Sequence, residues 1–104
     1  MTLQEFDATL KTACPSTYKD AAPKGAQRFV IWHSYGRNSM FGDNRNQLDA
    51  PKVQIDIVTN IEYDTLVDDI TAALWMMDLP YSVESEGYDD DYAAYRTILQ
   101  LVVI

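Results

Sequence analysis

The chain has 104 residues, of which 47% are hydrophobic and 23% charged, and its formal net charge is −8. That length suits one domain around one core, and the composition excludes a disordered or fibrous chain. The charge is uneven: residues 1–60 hold seven bases against six acids, and residues 61–104 hold ten acids against Arg96 alone. The second half therefore cannot neutralise phosphates, which argues against a reader of nucleic acid.

In chain order, Thr2-Leu3-Gln4-Glu5 has the form of a capping box, and Leu3, Phe6 and Leu10 follow at helical spacing. Cys14-Pro15 ends that run, so residues 3–13 are expected to form a helix. Two prolines and a glycine mark residues 15–27 as a connector. Arg28 to Tyr35 is a strand by composition, with Phe29, Ile31, His33 and Tyr35 on one face and Val30, Trp32 and Ser34 on the other. Gly36 to Lys52 then reads as one long polar loop with Met40-Phe41 at its centre. Structureless loops beyond about 12–15 residues are functional or disordered. This one is expected to be mobile in the isolated chain and fixed on assembly.

Val53 to Thr59 alternates apolar and polar residues and is a second strand. Thr59-Asn60-Ile61-Glu62 offers another capping box, and Tyr63, Leu66, Val67, Ile70, Ala73, Leu74 and Met77 mark an amphipathic helix over 61–78. Pro80 stops it. Tyr81 to Gly87 is a short strand, Asp89-Asp90-Asp91 a charged turn, and Tyr95 to Ile104 the last strand. Leu99, Leu101 and Val103 share one face of that strand; Ile98, Val102 and Ile104 share the other, joined by Trp32 and Val58 from neighbouring strands. The expected fold is α+β, a small mostly antiparallel or mixed four-stranded sheet with two helices. The element order is α-β-(long loop)-β-α-β-β. The helices cover both faces, or both cover one face and leave a second apolar face for a partner.

Little in the chain points to catalysis. His33 has no cysteine or second histidine with which to share a metal, and Cys14 stands at a helix end without an activating neighbour. Glu84, Glu86 and Asp89 to Asp91 lack the alternation of a calcium loop, and Asp43, Asn44 and Asp49 have still less spacing logic. Phosphate loops, nucleophile elbows and Ser/His/Asp sets are missing from the sequence. No catalytic residue, cofactor or metal is expected. No apolar run reaches the ~18 residues of a bilayer span, and the start lacks the basic and apolar regions of a secretory signal. A single cysteine fits a reducing compartment.

Taken in order, RFVIWHSYG, VQIDIVT, the helix from Tyr63 to Met77 and YSVESEGYDDDYAAYRTILQLVV resemble the tail-terminator (tail-completion) proteins of long-tailed bacteriophages and prophages. The resemblance covers Phe29 to Val103. It implies a non-enzymatic structural protein of the virion, assembled in the host cytoplasm into a ring, typically a hexamer, at the head-proximal end of the tail. Such a ring stops growth of the tail tube and docks it to the head. The implied partners are further copies of the chain, the tail-tube protein and a connector or neck protein. DNA passes through without sequence-specific binding, and no membrane is involved. Rings require two different patches to meet head to tail. Arg37 and Arg45 facing Asp89, Asp90 or Asp91 of a neighbour, with Met40 and Phe41 as apolar anchor, are the expected interface. The alternatives are a head-closure or neck component, or an acidic protein-binding domain.

Overall fold

The computed structural model describes residues 1–39 and 49–104, with the side chains of 1–37 and 50–104. The elements are α1 (Leu3–Ala13), β1 (Thr17–Lys19), β2 (Arg28–Ser39), β3 (Asp49–Thr59), α2 (Leu66–Met76), β4 (Tyr81–Asp89) and β5 (Ala94–Val102). They form an α+β structure around a five-stranded mixed sheet in the order β1-β2-β3-β5-β4.

Helix α1 starts and stops where its sequence dictates. The Thr2 hydroxyl accepts from Glu5 N–H at 3.0 Å, and Thr2 N–H donates back to the Glu5 carboxylate at 2.9 Å. Both bonds satisfy donors that the first helical turn leaves open. Phe6 and Leu10 on its inner face are fully buried. Phe6 meets Trp32 edge to face at 5.4 Å.

The fifth strand lies in the segment expected to be a connector. Thr17, Tyr18 and Lys19 run parallel to Val30, Ile31 and Trp32, flanked by bonds from Val30 N–H to Ser16 O and Asp20 N–H to Trp32 O, each 2.9 Å. A three-residue strand has too few positions for a periodic signal, and its partner lies well along the chain.

The long loop is also shorter than expected. Strand β2 continues past Tyr35 and β3 begins at Asp49, with Gly36, Arg37, Asn38 and Ser39 opposite Lys52, Pro51, Ala50 and Asp49. A register shift between Ser34 and Gly36 absorbs one extra residue, the two-against-one arrangement of a β-bulge. Polar side chains do not prevent this pairing, because the ladder is made by backbone groups. Residues 40–48, between these strand ends, lie outside the described residues.

Helix α2 is shorter than the expected 61–78, and the expected second capping box is not used. Tyr63 has φ +59°, a left-handed conformation that interrupts a helix. The Thr59 hydroxyl accepts from Ile61 N–H, not from a helical donor at Glu62. From Leu66 onward the expected stripe holds, with Leu66, Ile70 and Leu74 fully buried. At the far end Leu79 N–H donates to Leu74 O and Asp78 N–H to Trp75 O, both 3.0 Å, with Asp78 at φ +59°. This is a Schellman closure, with buried Leu79 as its apolar partner.

Both helices pack on one side of the sheet. One core joins Phe6 and Leu10 of α1 and Leu66, Ile70 and Leu74 of α2 to Val30, Trp32, Val53, Ile55, Ile57, Leu99 and Leu101 of the strands. Trp32 therefore faces the helices, which corrects its expected place on the second face: it pairs with Ile55, which points into the same core. Val58 does face the other way, in a small cluster with Phe29 and Ala94 under Tyr18, Ala22 and Ala26. A turn closed by Ala26 N–H to Pro23 O brings that cover across, with Gly25 at φ +87° supplying the left-handed third position of a type II turn.

Candidate assembly surface

The sheet face away from the helices is polar at its centre, not the continuous apolar face expected. Gln54 and Asp56 of β3 lie beside Gln100 and Arg96 of β5. Gln100 donates to Gln54 at 3.4 Å, Gln54 to Asp56 at 2.9 Å, and Arg96 Nη2 to Asp56 at 2.6 Å. Arg96 Nη1 also reaches Asp89 at 3.2 Å, and its guanidinium lies over the Tyr92 ring at 5.2 Å. The Asp56 hydrogen bond, opposed by burial, holds the Arg96 guanidinium above its usual range. Arg96 Nε is buried with no hydrogen-bond partner among the described residues.

This network decides what the acidic run can do. Asp89 is engaged by Arg96 and by Asp91 N–H at 2.9 Å. Asp90 and Asp91 have exposed side chains. The run rims an open cavity of about 420 Å³ lined also by Glu86, Tyr88 and Arg96. Among the described residues no group of three or more His, Cys, Asp or Glu side chains has the arrangement to hold a metal ion. Cys14 is buried, and its carbonyl accepts from the Thr17 hydroxyl at 2.6 Å, so it serves the α1–β1 turn. His33 is half-buried beside Tyr35 at 6.4 Å.

Arg37 is exposed on β2, opposite Pro51. Asp89 pairs with Ala94, beyond the Tyr95–Thr59 pair at the other end of the sheet. At ~3.3 Å per residue these two positions are roughly 30 Å apart along the strands. The fold does not bring Arg37 and Asp89 together within one chain. Met40, Phe41 and Arg45 lie outside the described residues.

Two features of the surface were not visible in the sequence. Strand β4 is exposed from Tyr81 to Tyr88 on both faces, although it pairs with β5 along its length. Trp75 and Met76 at the end of α2 are each 83% exposed, Trp75 beside β4 and Met76 over the groove between α2 and α1. Trp75, Leu79, Pro80 and Tyr81 line a cavity of about 300 Å³. Helical spacing did set Trp75 and Met76 outside the apolar stripe, but only the docking of α2 shows Trp75 next to Tyr81.

A second polar cluster is structural. Asp64 accepts from Arg28 Nε at 2.7 Å and Nη2 at 3.0 Å, from Leu66 N–H at 3.0 Å, and from the Thr59 hydroxyl. The Arg28 bonds, aided by Thr59 and Leu66 and opposed by burial, lower its carboxyl to about 2. It ties the start of α2 to the starting edge of β2 and the end of β3.

Searched by sequence, the chain matches no protein-family model and no curated protein. Its structure is similar to that of a chain in the virion of a native gene transfer agent (GTA) particle. A virion chain shares this fold. The TM-score is 0.54 at 14% identity, over 95% of this chain and 87% of the other. No helix among the described residues is long and apolar enough to cross a membrane.

Proposed function

We propose that this protein is a non-enzymatic structural component of a virion, a single domain that forms a ring, of hexameric type, as a tail terminator. The observation that carries the reading is the fold shared with a virion chain over nearly the whole length. It agrees with the order of motifs from Phe29 to Val103 that resembles the terminator family. In this role the ring caps the tail tube, stops its growth and presents the surface that joins the head. DNA passes through it, and the net charge of −8 keeps phosphates from adhering to the passage.

The interface in this reading joins Arg37 and Arg45, with Met40 and Phe41, to the acidic run Asp89 to Asp91 of a neighbour. Because Arg37 and Asp89 stand at opposite ends of one sheet, such contacts form only between copies. Asp90 and Asp91 are the exposed partners, since Asp89 is held by Arg96.

The test is to mix the purified protein with tail-tube subunits of the same virus and image the products by negative stain. Rings on tube ends, with tubes of limited length, are expected. Tubes that lengthen as if the protein were absent refute the terminator role. Binding to head-side connectors in place of tubes would move the protein to the neck.

A further inference from the structure

Strand β4 has nine residues, is buried on neither face and pairs only with β5, so its outer backbone edge is open among the described residues. A strand in that position loses conformational entropy on ordering with little apolar burial to offset it, and its free N–H and C=O groups form a template for another strand. We propose that the open edge of β4 pairs with the distal half of β2 in a second copy, joining sheets head to tail. The ring reading supplies only the closure of this series of contacts.

Three observations select that partner. The first is charge. Glu84, Glu86 and Asp89 lie on β4, with Asp90 and Asp91 following, so two β4 edges facing each other would set acid against acid. That disfavours a two-fold dimer through β4 and favours a basic strand. The second is length. At the opposite border of the sheet, β1 offers only three residues and covers β2 only at Val30 to Trp32. From His33 outward β2 pairs with β3 alone among the described residues; Arg37 lies on this arm of β2, and Lys52 sits on β3 at the neighbouring ladder position, opposite Gly36. The third is direction. Successive antiparallel pairings of β2 with β3, β3 with β5 and β5 with β4 make β4 antiparallel to β2. A second copy translated along the sheet therefore presents β2 to β4 as an antiparallel partner, displaced along the strands so that its β1 is cleared.

A charge exchange tests this. Glu84→Lys with Glu86→Lys makes the β4 edge basic, and Arg37→Glu with Lys52→Glu makes the arm acidic. Light scattering coupled to size exclusion is expected to give rings for the wild type. Each double variant alone should be monomeric, with subunit affinity weakened on the order of 100-fold or more by like charges across the contact. An equimolar mixture should regain rings with alternating copies, because each junction then joins opposite charges. Circular dichroism checks that both variants fold. Rings that form unchanged in either variant, or folded variants that fail to reassemble when mixed, overturn the β4–β2 pairing and leave the ring reading standing. A wild type that stays monomeric at millimolar concentration overturns both. Hydrogen exchange gives a second reading: β4 amides should exchange rapidly in the monomeric variants and slow at least tenfold in the ring. Equal rates in the two states refute the pairing.

Discussion

Replacing Asp64 by Asn tests the clasp that fixes where α2 begins. The Asp64 side chain is only 6% exposed and accepts four hydrogen bonds, two of them from Arg28. With its carboxyl at about 2 in the folded chain against an ordinary 3.8, the ionised form carries on the order of 2 kcal/mol of stability at neutral pH. This is an upper figure, because Arg28 is 39% exposed and its charge is partly screened. The folded value is the lower one, so this stability is fully present above pH 3.8 and is lost as pH falls through 2. Asp64→Asn is neutral at every pH and turns an amide donor toward Arg28. Urea unfolding followed by the fluorescence of Trp32, which is buried against Phe6, should place the variant about 2 kcal/mol below wild type at pH 7. With a slope of ~1–3 kcal/mol per molar urea, that is a midpoint shift on the order of 1 M. The gap should shrink to a few tenths of a kcal/mol by about pH 2, where the folded wild type has half of its Asp64 carboxyl protonated and the unfolded chain nearly all of it. Other carboxylates titrate in both proteins and cancel in the difference. A gap of the same size at pH 7 and pH 2, or one below about 0.5 kcal/mol at pH 7, would refute the assignment of Asp64 as the ionised centre of the clasp.

Arg96→Met should destabilise by about 3 kcal/mol, because it leaves the largely buried Asp56 carboxylate without its charge partner. Adding Asp56→Asn should recover a large part of that loss, measured as a double-mutant cycle in urea. Thr2→Ala removes the hydroxyl acceptor of the α1 cap and should cost about 1 kcal/mol by thermal unfolding. Ile70→Ala opens a cavity in the single core shared by both helices and the sheet, and about 2–5 kcal/mol should be lost in the same assay.

The legibility of the fold depends on how local each determinant is. Helix α1 could be read to the residue, since the Thr2–Glu5 box and the Cys14-Pro15 stop lie within a turn of its ends. The inward alternation of Val53, Ile55 and Ile57 likewise needs only the period of a strand. The beginning of α2 differs from the expected one because the box residues Thr59 and Glu62 are only three positions apart in sequence, whereas Asp64, which holds Thr59 and caps Leu66, is fixed by Arg28 from 36 residues away. Among the candidate assembly residues, Asp89 to Asp91 were visible as a charge run. That Asp89 is already occupied follows only from the β4–β5 register, shifted between Val83 and Ser85, which sets Arg96 beside it.

Sequence by itself determined the α+β class, both helices, the alternation of side chains along β2 and β3, and the strong acidity of the second half. Each of these follows from near-neighbour spacing or from composition. Tertiary structure alone decided that β1 exists, that β2 and β3 run on into a polar arm, that both helices share one face, and that β4 ends the sheet as an open edge among the described residues. Those features depend on which distant backbone segments pair, and backbone hydrogen bonds leave no periodic mark in the side chains that would announce their partner.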